Sequence, residues 1–110
     1  LPYYHSLLPL LGFIHERKNI WTNGAGFYLQ LQQAKADTSP YQRYGAGMNH
    51  LGFSVDSAEQ VSRVRESMLQ AGFEVPELQN LDGATALFMK DPDGIRFEIT
   101  CYRPGQNAFD

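Results

Sequence analysis

The chain is poor in the features that mark several protein classes. It has one cysteine, Cys101, so no internal disulfide can staple it. A reducing, cytoplasmic setting is the expectation. It has no basic block: nine Lys and Arg stand against 12 Asp and Glu, a net charge of −3. That excludes the simplest electrostatic binder of nucleic acid. Its longest apolar stretch, Leu7 to Ile14, is broken by Pro9 and falls far short of the ~20 residues that span a bilayer. No membrane partner is expected. No signal-peptide pattern opens the chain, and Leu1 is not an initiator methionine, so the expectation is that N-terminal residues have been lost. What remains is 110 residues, 43% hydrophobic and 19% charged, which suits one folded domain with a single core.

The clearest element is a helix. Asp56 or Ser57 can cap it, and Glu59 or Gln60 stands three residues on to return the capping bond. Ala58, Val61, Val64, Met68 and Leu69 recur at helical spacing, and Gly72 supplies a left-handed stop. A strand precedes it: Met48 to Val55 alternates, with Leu51, Phe53 and Val55 on one face and His50, Gly52 and Ser54 on the other. Phe73 to Leu78 and Ala84 to Met89 read as further strands. Asp91-Pro92-Asp93-Gly94 then turns the chain into a last strand, Ile95 to Tyr102. The order is β-α-β-β-β.

The first part of the chain repeats that order. Leu7 to Leu11 reads as a helix tail, kinked or irregular at Pro9, that ends at Gly12-Phe13 as the later helix ends at Gly72-Phe73, 60 positions on. Strands follow at Phe13 to Arg17 and Asn19 to Thr22. Gly26 to Leu31 matches Gly94 to Ile99, 68 positions on. The reading is one α+β domain over 1–110: module 1 at about 1–34, a linker at 35–47 and module 2 at about 48–103. The counterpart of the His50 strand falls before Leu1, so module 1 lacks its opening strand here. Its open edges are of the kind that folded proteins pair or cover, and a homodimer is one way to do so.

Chemistry concentrates at His50 and Glu98. Each is a polar residue expected at the centre of a strand whose other face is apolar, so both point to the side away from the helices. If the first and last strands of the module are neighbours, an imidazole and a carboxylate meet on one surface. That suits a divalent cation such as Zn²⁺, Fe²⁺, Mn²⁺ or Ni²⁺. The repeat puts Gln30 at the position that corresponds to Glu98. Spacing alone leaves open an ordinary ion pair, or two solvated residues on an open sheet face. Trp21, Tyr28, Gln32, Ser54, Arg96 and Thr100 are candidates to line the same concavity. His5 and His15 read as surface histidines, Cys101 as a small buried hydrophobe, and Arg43, between Tyr41 and Tyr44, as part of a solvated loop.

Met48-Asn49-His50-Leu51-Gly52-Phe53-Ser54-Val55, the Ala-Gly-Phe helix end and Asp91-Pro92-Asp93-Gly94-Ile95-Arg96-Phe97-Glu98-Ile99 resemble the vicinal oxygen chelate superfamily, as does Leu7 to Phe13. That group includes glyoxalases, bleomycin resistance proteins and extradiol dioxygenases. The resemblance covers nearly the whole chain and implies the glyoxalase/bleomycin-resistance/dioxygenase fold, with paired modules around a divalent metal. It implies that His50 and Glu98 are metal ligands on the opening and closing strands of module 2, and that Gln30 falls where glyoxalase I has a glutamate ligand. Gln30 is neutral and cannot act as a base, a departure from that pattern. The activity implied first is that of a glyoxalase-like lyase or isomerase on a small molecule with vicinal oxygens, with Glu98 as the group that moves the proton. An Fe²⁺ extradiol dioxygenase and a non-catalytic binder of the bleomycin-resistance type are the alternatives.

Overall fold

A computed structural model describes residues 2–102. Contacts divide the chain into two units, Leu1–Pro40 and Tyr41–Asp110, each with its own sheet.

In the first unit, helix α1 (Pro2–Leu7) tightens into a 3-10 turn over Leu8–Leu11. Pro9, which has no N–H to donate, sits inside that turn and accounts for the irregularity. Strands β1 (Ile14–Arg17), β2 (Ile20–Thr22) and β3 (Tyr28–Gln30) follow as an antiparallel sheet in the order β1-β2-β3. Register puts His15, Trp21 and Leu29 on one face, and Ile14, Thr22 and Tyr28 on the other, which Gln30 shares. Trp21 is 4% exposed, so its expected place along an open concavity is corrected: the ring is buried on the opposite face. His15 is exposed, but it is not simply solvated. Its ring stacks on Trp21 at 4.6 Å, and its Nε2–H donates to the Lys18 carbonyl.

The second unit runs β4 (His50–Ser54), α2 (Ala58–Gln70), β5 (Gln79–Leu81), β6 (Ala84–Lys90) and β7 (Arg96–Cys101), the expected β-α-β-β-β order. The sheet order is β4-β7-β6-β5. The β4–β7 pair is parallel, and the whole of α2 with β5 and β6 lies in its crossover. Ser57 caps α2: its hydroxyl accepts from the Gln60 N–H at 3.2 Å, while the Gln60 side chain accepts from the Asp56 N–H at 3.1 Å. Val61, Val64 and Met68 are buried and α2 packs on β6 and β7, whose buried side chains include Leu87, Met89, Phe97 and Ile99. Full burial of such a side chain is worth about 1.5–3 kcal/mol. Ala58 and Leu69, expected on that face, are exposed.

One expected strand is absent. Residues 73–78 form no strand, and the pairing begins only at Gln79. Pro76 has no N–H for a ladder, and its carbonyl is taken by the Arg65 Nε–H at 2.8 Å, while Arg65 also pairs with Glu77. The segment is tied to the helix rather than to the sheet.

The repeat is visible as matched hydrogen bonds. Gly12 N–H donates to Pro9 and Phe13 N–H to Leu8, at 3.2 and 3.0 Å; Gly72 donates to Leu69 and Phe73 to Met68, at 3.0 and 3.1 Å. Both glycines take positive φ, +87° and +93°, as a helix end of this type requires. The hairpin turns match as well. Asn23 Oδ1 accepts from Ala25 N–H at 2.9 Å, and Asp91 Oδ1 accepts from Asp93 N–H at 2.9 Å.

Candidate functional site

Glu98 stands in mid-β7, and its register partner on β4 is Gly52. His50 is the first residue of β4, not its centre as expected, and lies opposite Arg96. His50 and Glu98 are therefore diagonal neighbours on adjacent strands and share one face. With strands about 4.8 Å apart and a two-residue rise of about 6.6 Å, such neighbours sit roughly 8 Å apart at Cα. Both line one cleft of about 190 Å³, together with Arg43, Phe88, Met89, Arg96 and Phe97. Gly52 keeps the face open beside the carboxylate: a Cβ there would stand 3.7 Å from Glu98 Cγ.

Each of the two groups is held through one atom and leaves another unengaged. Glu98 Oε1 accepts from the Thr100 hydroxyl at 3.3 Å and the Tyr102 hydroxyl at 3.2 Å. Burial, the Glu98 charge and the hydrogen bond to it push the Tyr102 phenol above its usual pKa, so Tyr102 stays a neutral donor. Oε2 has no hydrogen-bond partner among the described residues. His50 Nδ1 lies 2.9 Å from Asn49 Oδ1. The Asn49 amide donates through Nδ2 to the Arg43 carbonyl at 3.2 Å, which fixes Oδ1 as an acceptor. Nδ1 therefore carries a proton, and in the neutral ring it is Nε2 that presents a lone pair. Tyr41 steadies the same loop by donating to the Met48 and Asn49 carbonyls at 2.8 and 2.9 Å. A histidine oriented through one nitrogen by an oxygen acceptor is the usual state of a metal-ligating imidazole. The donor chemistry of the pair fits a divalent cation.

Among the described residues, no group of three or more His, Cys, Asp and Glu is arranged to hold a metal ion. Gln30 lies in the first unit, exposed on β3. Of the other candidates, Arg96 lines the cleft and Thr100 is buried beneath Glu98. Arg43, expected to be solvated, is half-buried at the cleft. Asn49 and Tyr102 were not anticipated. Tyr102 was findable, because Glu98, Thr100 and Tyr102 alternate onto one face. Asn49 precedes the strand, and no periodicity points to it.

A profile of the Glyoxalase/Bleomycin resistance protein/Dioxygenase superfamily matches residues 11–99. The chain belongs to that superfamily. An uncharacterized protein of Bacillus subtilis (strain 168), YqjT, is 33% identical, over 81% of this chain and 77% of its own. The fold of this superfamily member recurs in a Bacillus halodurans crystal structure, at TM-score 0.71 and 22% identity over 92% of this chain and 84% of that one. It recurs again in a glyoxylase/bleomycin resistance protein/dioxygenase domain from Frankia sp. EAN1pec, at TM-score 0.64 and 19% identity over 96% and 82%. Among the described residues, no helix is long and apolar enough to cross a membrane.

Proposed function

We propose that this superfamily member is a divalent-metal-dependent lyase or isomerase of the glyoxalase kind, acting on a small molecule with vicinal oxygens. The observation that carries the reading is the His50–Glu98 pair in one cleft, each with a free donor atom. His50 Nε2 and Glu98 Oε2 are the proposed ligands. A bound divalent cation supplies Lewis-acid stabilisation of negative charge on the two substrate oxygens.

The chain's own residues supply the rest. Asn49 holds the imidazole in the tautomer that presents Nε2. Thr100 and Tyr102 hold Glu98 through Oε1. Among the described residues Glu98 is the only carboxylate lining the cleft, so it is the group to move a proton at the substrate carbon. A second reading, a non-catalytic binder of an aromatic ligand, draws on Phe88. This residue is opposite Glu98 in register and 37% exposed.

Metal analysis separates these readings. Purified protein loaded in turn with Zn²⁺, Ni²⁺, Mn²⁺ and Fe²⁺ is expected to retain at least one of these ions, and His50→Ala and Glu98→Gln are each expected to lose it. Asn49→Ala is expected to weaken binding about 10–100-fold, the usual cost of removing a group that orients a ligand. Failure to retain any of the four ions, or a His50→Ala variant with unchanged metal content and ligand affinity, would favour the binder.

A further inference from the structure

The cleft beside His50 and Glu98 carries an excess of basic side chains, in a chain whose net charge is −3. Sheet register explains part of it. Arg96 and Lys90 are direct neighbours across β7 and β6, so two cationic side chains stand abreast on one face, beside His50 on β4. Like charges directly opposite one another destabilise a sheet. Among the described residues neither Arg96 nor Lys90 forms an ion pair, and the cleft sets a single carboxylate, Glu98, against Arg43 and Arg96. Glu74 lies in the adjoining groove with Lys90 and Arg96 but pairs with neither.

Arg43 enters the same cleft from the loop before β4. Its guanidinium lies over the Tyr44 ring at 5.1 Å, and its Nε is buried without a hydrogen-bond partner. A bound anion supplies the charge that Glu98 alone does not offset, and guanidinium groups suit planar oxyanions through paired hydrogen bonds.

We propose that Arg43 and Arg96 form an anion clamp in this cleft and that its ligand is a small organic acid, held by its carboxylate or phosphate. The cavity, about 190 Å³, is below the size of drug-scale pockets, which limits the ligand to a compact molecule. Phe88 offers the one exposed aromatic surface along this wall. Identifying the acid with the substrate rests on the metal-site reading above; the clamp itself does not.

Three probes test the clamp on the metal-free full chain by calorimetric titration. Mandelate has a carboxylate, an adjacent hydroxyl and a phenyl ring; mandelamide keeps that shape without the charge; phenyl phosphate carries the charge on phosphorus. At least one of the two acids is expected to bind tenfold or more tightly than mandelamide, and the tighter acid identifies the anion. Arg43→Gln and Arg96→Gln are each expected to weaken that acid at least tenfold while leaving mandelamide unchanged. Arg96→Lys is expected to recover part of the loss, which shows that charge rather than misfolding is responsible. Equal binding of acid and amide, no binding of either acid, or glutamine variants that bind like wild type overturns the clamp. Zinc titration of the same samples keeps the two readings apart. Zinc bound without acid overturns the clamp alone, and acid bound without retention of any of the four metals overturns the metal site alone.

Discussion

β3 and β7 hold the same place in the repeat but have different surroundings. β7 is paired on both sides, with β4 in parallel and β6 antiparallel, and Phe97, Ile99 and Thr100 are buried along it. β3 pairs with β2 alone among the described residues, and its three residues are exposed or half-buried. The turns that lead into the two strands nevertheless share one hydrogen bond, from the second following N–H to the Asn23 or Asp91 side chain. Local sequence therefore specifies the hairpin in both units, while depth of burial comes from the strand on the far side. The difference bears on chemistry. Glu98 sits in a strand held from both edges, with two hydroxyls fixing one oxygen, the kind of rigid support that a ligand or catalytic group needs. Among the described residues, Gln30 has no comparable support.

The largest expected effect comes from removing the side chain that marks this difference. Phe97 and Leu29 are counterparts, 3% exposed in the one case and half-buried in the other. Phe97→Ala leaves a cavity in the β7 core and is expected to cost about 3–5 kcal/mol. Leu29→Ala is expected to cost only about 1 kcal/mol. Urea unfolding followed by far-UV circular dichroism measures both. Comparable losses would show that β3 is as deeply supported as β7.

The turns give a smaller contrast. Asp91 is 5% exposed, and its Oδ1 accepts from both Asp93 N–H and Ile95 N–H at 2.9 Å. Its counterpart Asn23 is exposed and makes only the first of these bonds through its side chain. Asp91→Ala strands two backbone donors and is expected to cost about 1.5–3 kcal/mol, against about 0.5–1 kcal/mol for Asn23→Ala. Because Asp91 sets the start of β7, its loss is also expected to weaken metal retention at Glu98. An Asn23→Ala variant that destabilises as much as Asp91→Ala would erase the contrast.

Much of this was legible in the residues themselves. The capped helix, the two Gly-Phe stops, the Asp-Pro-Asp-Gly turn and the face shared by His50 and Glu98 all follow from short-range periodicity and turn chemistry. What was not legible depends on contacts made at a distance. Residues 73–78 alternate like a strand, but Arg65 on α2 claims the Pro76 carbonyl. Trp21 is large and amphipathic, and only its register with His15 and Leu29 reveals which face it takes. Asn49 and Arg43 come to the cleft on a loop, where no period indicates which side chains turn inward.

The smallest expected effect is a difference near zero. Gly12 and Gly72 end their helices at φ +87° and +93°, and a Cβ at either would meet nothing within 4 Å. With space free at both, the only penalty for alanine is the left-handed backbone, about 1–2 kcal/mol. Gly12→Ala and Gly72→Ala are therefore expected to cost the same, although one glycine follows a single short turn and the other a 13-residue helix. Paired unfolding curves measure the difference directly. A gap above about 1 kcal/mol between them would mean that the two stops are coupled differently to their units, and that the matched hydrogen bonds hide unequal strain.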